Sequence, residues 1–113
     1  MNASDFTFAD LRQKNIERQR EWQADGKPFN LEFRALELGG EVGELQNACK
    51  KIIRERDGHK GSRATFGDME AEAADVAIAL DLFCNNAKID LAQAIKRKFN
   101  ATSRKHGFKT VIE

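Results

Sequence analysis

Glu41 and Glu44 stand three residues apart, and Glu72 and Asp75 repeat that spacing further along the chain. On a helix such a pair lies on one face, about one turn apart along the axis. Glu37, four residues before Glu41, extends the first face. Neither pair opposes the apolar stripe of its own helix; each runs beside it, next to Leu38, Val42 and Leu45 in one case and Met69, Val76, Leu80 and Phe83 in the other. Packing the two stripes together therefore brings four carboxylates to the edge of a core. Like charges placed there raise one another's pKa and repel, so folding alone does not favour the arrangement. A divalent cation reverses the balance. All-oxygen ligation suits a hard ion such as Mg²⁺ or Mn²⁺, and Mg²⁺ keeps waters and accepts phosphate oxygens as its remaining ligands. The chemistry expected of such a cluster is phosphoryl or nucleotidyl transfer. The competing reading is that these are solvated helix acids, common in a chain of which 33% is charged. A di-iron carboxylate bundle would need a His three residues after a Glu on two helices. Positions 47, 75 and 78 hold Asn47, Asp75 and Ile78, and His59 and His106 fall in glycine-flanked stretches that read as surface.

Four helical patterns must position these groups. The first runs from about 8 to 24, with Thr7 as its cap, and ends at Asp25-Gly26-Lys27-Pro28. The second, from about 30 to 56, carries Leu38, Val42, Leu45, Cys49 and Ile52 at alternating steps of four and three. The segment 57–67 holds three glycines and no periodicity, and reads as a mobile loop able to close over an anion. A third helix is expected over about 68–87, with Asp68 as its N-terminal acid. A fourth is expected over about 89–105, capped by Asp90 and stopped at His106-Gly107. The tail beyond it reads as poorly ordered. Gly39, Gly40 and Gly43 interrupt the second pattern, each at about 1 kcal/mol relative to Ala. They imply either a kink or close helix packing, or room for phosphates beside a metal.

Composition sets the outer bounds. The chain has 113 residues, enough for one domain, and a chain this small buries only about two thirds of its unfolded surface, which favours self-assembly. Nineteen Lys plus Arg against 18 Asp plus Glu leave a formal charge of +1, too little for a broad nucleic-acid-binding field. One Pro and no Tyr, with 41% apolar residues, suit amphipathic helices, so the expected fold class is all-α. No basic, apolar leader and no 18-residue apolar run is evident, which predicts a cytoplasmic protein without a membrane partner. Cys49 and Cys84 lie on apolar stripes outside any CxxC spacing and read as buried free thiols. No repeat or linker divides the chain.

Gly40-Glu41-Val42-Gly43-Glu44-Leu45 followed by Glu72-Ala73-Ala74-Asp75-Val76 resembles the ExxE and ExxD signature of the MazG-like and dCTP pyrophosphatase family of all-α nucleoside triphosphate pyrophosphohydrolases. The similarity covers about 22–108. It includes the helix running through Lys98-Phe99-Asn100 to Arg104-Lys105. Many members of the family have two acids where this chain has Gly40-Glu41, although the dCTP pyrophosphatase branch has glycine there. Glu37 is a candidate for the missing charge. Where members often carry an asparagine four residues after the lysine matching Lys98, this chain has Thr102, with Asn100 nearby.

The resemblance implies a single MazG-like domain over 1–113, with its core at about 6–106, and a four-helix subunit packed into a larger helical bundle as a homodimer or homotetramer. It implies that Glu41, Glu44, Glu72 and Asp75 bind Mg²⁺, with Mn²⁺ as an alternative. Water then attacks the α-phosphorus of a nucleoside triphosphate and releases pyrophosphate, removing unwanted nucleotides. A base needs a flat partner, for which Trp22 and Phe29 are candidates, unless both only fill the core. Phosphates need cations. Lys98, Arg104 and Lys105 are the candidates that the resemblance places, with Asn100 beside them, while Lys50, Lys51 and Arg54 follow the first acid pair and read mostly as solvated. The alternative function is a non-catalytic helical interaction module.

Overall fold

Each helix begins where a side-chain oxygen takes up a free backbone N–H. Thr7 and Asp10 form a reciprocal capping box at the start of α1 (Phe8–Trp22), with Asp10 N donating to Thr7 Oγ1 at 3.2 Å and Thr7 N to Asp10 Oδ2 at 2.9 Å. Asn30 Oδ1 accepts from Phe33 N at 2.8 Å and starts α2 (Leu31–Arg56). Thr65 and Asp68 repeat the capping box at α3 (Phe66–Asn86), and Asp90 accepts from Gln93 N to start α4 (Leu91–Lys105). The third helix therefore begins two residues before the expected 68, because Thr65 is its cap and Asp68 its third residue. The computed structural model describes residues 5–23, 25–59 and 63–113. Ala24, where the first helix was expected to end, and 60–62 of the expected loop lie outside them.

The described residues are all helix and connection, with no strand. Three helices stop in the same way. The N–H of His59, Ile89 and Phe108 reaches back to the carbonyl of Arg54, Cys84 and Ser103 at 2.8 Å, and the residue before each has a positive φ. Two of those residues are Gly58 and Gly107, the usual choice for a left-handed turn. The third is Lys88, with φ 61°, and its Cβ makes that conformation costly.

Packing is concentrated between α2 and α3, with α1 laid on α3 and α4 resting against α1. The pair α2 and α3 is antiparallel. Glu44 lines a cleft with Glu72, whereas Glu41, one turn back, meets Asp75, one turn on. The expected stripes face this seam, with Leu38, Leu45, Cys49 and Ile52 opposite Met69, Val76, Leu80 and Phe83, all only half-buried. Val42 and Ala73, on the same stripes, remain exposed. Fully buried apolar residues are few and small: Ala48, Ala79, Leu82, Cys84 and Leu91. Cys49 and Cys84 are both free, and burial pushes the Cys84 thiol above its ordinary pKa.

A polar network holds α1 in place. Asp81 is 1% exposed; its two oxygens accept from Arg12 Nε at 3.1 Å and Asn15 Nδ2 at 3.0 Å. Arg12 Nη2 also donates to the carbonyl of Ile89 at 2.8 Å, so one guanidinium clasps α1 to α3 and to the turn before α4. The tail departs from the expected disorder. Asn100 donates to the carbonyl of Ile112 at 2.9 Å and accepts from its N–H at 2.8 Å, imitating a strand partner and pinning the last residues along α4. Replacing Asp81 with Ala removes the carboxylate from Arg12 and Asn15, leaving them only the carbonyls of Ile89 and Ile78. We expect it to lower the free energy of unfolding by about 3 kcal/mol in urea titration, with the helical circular dichroism of the folded state retained. A loss under about 1 kcal/mol would place the network among weak surface pairs.

Candidate metal centre

The seam between α2 and α3 brings one carboxylate oxygen each of Glu41, Glu72 and Asp75 within 4.8 Å of one another. The i, i+3 spacing on α3 sets Glu72 and Asp75 side by side, and the antiparallel register places Glu41 against them. Glu44 is close enough for its charge to act on both Glu41 and Glu72, but it stands at the rim, lining the adjoining cleft with Glu72. Of the four expected ligands, three thus offer oxygens close enough to share an ion, and the fourth stands beside them.

Burial and mutual repulsion push Glu41 above the usual carboxylate range. Partial burial contributes most, followed by the charges of Glu44, Asp75 and Glu72. Glu72 is raised for the same reasons, by partial burial first and then by Glu44, Asp75 and Asp68. One oxygen of each, Oε2, is buried with no hydrogen-bond partner among the described residues. A buried anionic oxygen without a partner is costly, and the group lacks donors to satisfy these two. A hard cation fits what is missing, because its charge answers the repulsion and its coordination takes up the free oxygens. The acids can hold a metal ion; their donor set is all oxygen.

Glu37 does not join them. Its Oε1 accepts from Arg34 Nη1 at 2.9 Å. Arg34, 3% exposed, also donates to Gln19 Oε1 at 2.6 Å and lies against the rings of Phe29 and Phe33, 5.1 and 5.8 Å from their centroids. Arg34 is not among the candidates drawn from the sequence above. The signal available was an arginine inside an apolar stretch with an acid three residues on and aromatics at its back. Phe29 stacks on Phe33 at 4.0 Å between centroids and is 43% exposed. Trp22, at the end of α1, is 71% exposed with the Arg18 guanidinium 5.4 Å from its ring centroid, so it does not fill this subunit's core.

Lys98, Arg104 and Lys105 are exposed on α4, which packs chiefly on α1, and none of them lines the cleft beside the acids. The amide of Asn100 is already engaged with Ile112. Helix α2 runs unbroken through Gly39, Gly40 and Gly43, and a Cβ placed on any of them would meet nothing within 4 Å. Neither a break in the helix nor close packing inside the subunit accounts for them. Beside the acids, Glu44, Asn47, Ala48, Lys51, Arg63, Ala64, Asp68 and Glu72 enclose a cleft of about 390 Å³. A larger cavity, about 620 Å³, opens around Arg12 and Asp81. The charges there already satisfy one another, so the chemistry favours the acid group.

No family model matches the chain. A relative at 29% identity over 107 residues is dCTP pyrophosphatase 1 of Bos taurus, the match covering 92% of this chain and 62% of the relative. The chain thus spans less than two thirds of that protein's length.

Proposed function

We propose that this chain, acting as one domain, is a Mg²⁺-dependent nucleoside triphosphate pyrophosphohydrolase that yields a nucleoside monophosphate and pyrophosphate. The observation that carries the reading is the meeting of Glu41, Glu72 and Asp75 with two unpartnered buried oxygens among them. The similarity to dCTP pyrophosphatase 1 supports it. Glu41, Glu72 and Asp75 would hold the ion, which when bound polarises the phosphoryl oxygens and neutralises the charge that builds on the leaving group. Glu44, at the rim, is the carboxylate placed to orient the attacking water and take its proton. The water oxygen bonds to the α-phosphorus while the bond from that phosphorus to the bridging oxygen breaks, its electron pair leaving with pyrophosphate. Phe29 and Phe33 offer an exposed aromatic face for the base, one that Arg34 holds from behind.

The subunit works as an oligomer in this reading. Its accessible surface is 8599 Å², against about 6,200 Å² for a compact monomer of this mass. Its radius of gyration is 17.4 Å, against about 13 Å for a compact domain of this length. Leu36 at 77% exposed, Phe66 at 70% and Phe99 at 43% are among the apolar side chains left to water. A second copy would cover such faces and bring a further α4, with Lys98, Arg104 and Lys105, near the acids.

Pyrophosphate release from a panel of nucleoside triphosphates should occur with Mg²⁺ and stop with chelator. Glu41→Gln and Asp75→Asn should each abolish it with the helical signal retained; turnover unchanged in either would remove the metal assignment. Mg²⁺ should also raise the Tm of the wild type. Glu72 holds its proton longer folded than unfolded, so the wild type loses stability as pH rises through that interval. Metal-free Glu72→Gln should therefore outlast the wild type by a margin that widens as pH rises from the ordinary carboxylate range through the raised folded-state value, and should gain little from Mg²⁺. A constant margin would mean that the repulsion is not felt. Light scattering should report a multimer that Leu36→Glu reduces to smaller species; a wild-type monomer would end the oligomer reading.

A further inference from the structure

The cleft beside the acid group carries an arrangement that the metal reading leaves unexplained. Three carboxylates line it, those of Glu44, Asp68 and Glu72, together with two cations, Lys51 and Arg63. Among the described residues neither cation has a carboxylate oxygen within 4.0 Å; the ion pairs formed are Arg12–Asp81, Lys14–Glu17, Arg34–Glu37 and Arg56–Asp57. Asp68 is already committed, since its Oδ2 accepts from Thr65 N at 2.8 Å to cap α3. Lys51 stands seven residues after Glu44, on the same face of α2 and about 10 Å further along it. Charge in the cleft is therefore graded: Glu44 and Glu72 stand at the acid end, while Lys51 and Arg63 share the other end with Asp68, whose carboxyl is held below its ordinary pKa by the hydrogen bonds from Thr65 and then by the charge of Lys51. Lys51 is half-buried, so leaving it without an anionic partner is less favourable than it would be in open water.

The order of groups along α2 gives this gradation a direction. Phe33 lies about 12 Å from Glu41 toward the amino end, Glu41 and Glu44 occupy the middle, and Asn47 and Lys51 follow toward the carboxyl end. Along the chain the stacked Phe29 and Phe33 come before the acids of α2 and Lys51 after them, and although Phe66 opens α3 at the far end, no aromatic lines the cleft itself. The amino end of α3 adds its positive dipole on the cationic side. A nucleoside triphosphate has the same order, with base, then the phosphorus under attack, then the two phosphates that leave.

We propose that the cleft between Glu44 and Arg63 seats those two phosphates, with Lys51 and Arg63 as their cationic ligands and Asn47 as an amide donor, so that the base points toward the start of α2. This rests on the pyrophosphohydrolase reading and adds to it the polarity of the substrate and the residues that take the leaving group. Lys51 and Arg63 bind there directly, whereas Lys98, Arg104 and Lys105 on the same subunit's α4 do not.

The test is calorimetric titration of inorganic pyrophosphate into the protein with Mg²⁺ present, beside a separate Mn²⁺ titration that reports the acid group alone. Lys51→Ala and Arg63→Ala should each weaken pyrophosphate binding about tenfold or more, leave Mn²⁺ affinity unchanged and keep the helical signal, and Lys51→Arg should restore most of the loss. Lys14→Ala, an equal change of charge on α1, should have no effect. Wild-type affinity in both cleft variants, or no pyrophosphate binding by the wild type, overturns the assignment. A wild type that binds pyrophosphate through Lys51 and Arg63 yet hydrolyses no nucleotide would overturn the pyrophosphohydrolase reading and leave the cleft assignment standing.

Discussion

Everything that could do chemistry in this chain depends on α2 and α3 meeting in one register. Apolar side chains spaced at three and four set the register, because only one alignment of two such stripes closes the seam without leaving a ridge over a ridge. The acids ride beside those stripes, so the contact that buries Ala48 and Ala79 also forces Glu41 toward Glu72 and Asp75. Hydrophobic burial supplies the driving force and electrostatic repulsion opposes it. The protein holds its acids together against their own charge, which leaves carboxylate oxygens without partners that a hard cation would satisfy.

The remaining helices are positioned by polar contacts more than by apolar ones. With so little fully buried hydrocarbon, α1 relies on Arg12 and Asn15 reaching the sunken Asp81, and α4 follows because the same guanidinium holds the carbonyl of Ile89. A buried charge pair of this kind is a modest source of stability, but it is selective about geometry: a wrong approach of α1 strands the carboxylate. The small apolar core and the polar clasp are two sides of one design, in which the subunit is specified more firmly than it is stabilised.

Much of this was legible in the chain beforehand. Caps at Thr7 and Asp90, the stop at Gly107 and the paired acids are local signals, read within a few residues, and they placed four helices with the carboxylates along one seam. What could not be read depends on partners distant in sequence. Asp81 carries no local mark of its role, because nothing near it in sequence announces Arg12, sixty-nine residues away. Asn100 seemed available until Ile112 took up its amide, and Glu37 seemed a spare ligand until Arg34 claimed it. Lys51 and Arg63 fell among cations read as solvated or as part of a loop. Their grouping is visible only once the antiparallel turn folds one toward the other.

The glycines of α2 have a consequence for motion. Three residues that favour the helix poorly sit within one and a half turns, at Gly39, Gly40 and Gly43, with open space beside each, so the segment bearing Glu41 gains little from side-chain contact. Local opening is easiest where backbone entropy is highest and packing thinnest. Amide hydrogens around Glu41 would therefore exchange with solvent sooner than those near Ala48 on the same helix, and a ligand gripping Glu41 would slow that exchange. The carboxylate at the centre of the candidate site is carried on the glycine-rich stretch of the longest helix, so a ligand bound there would also anneal that stretch.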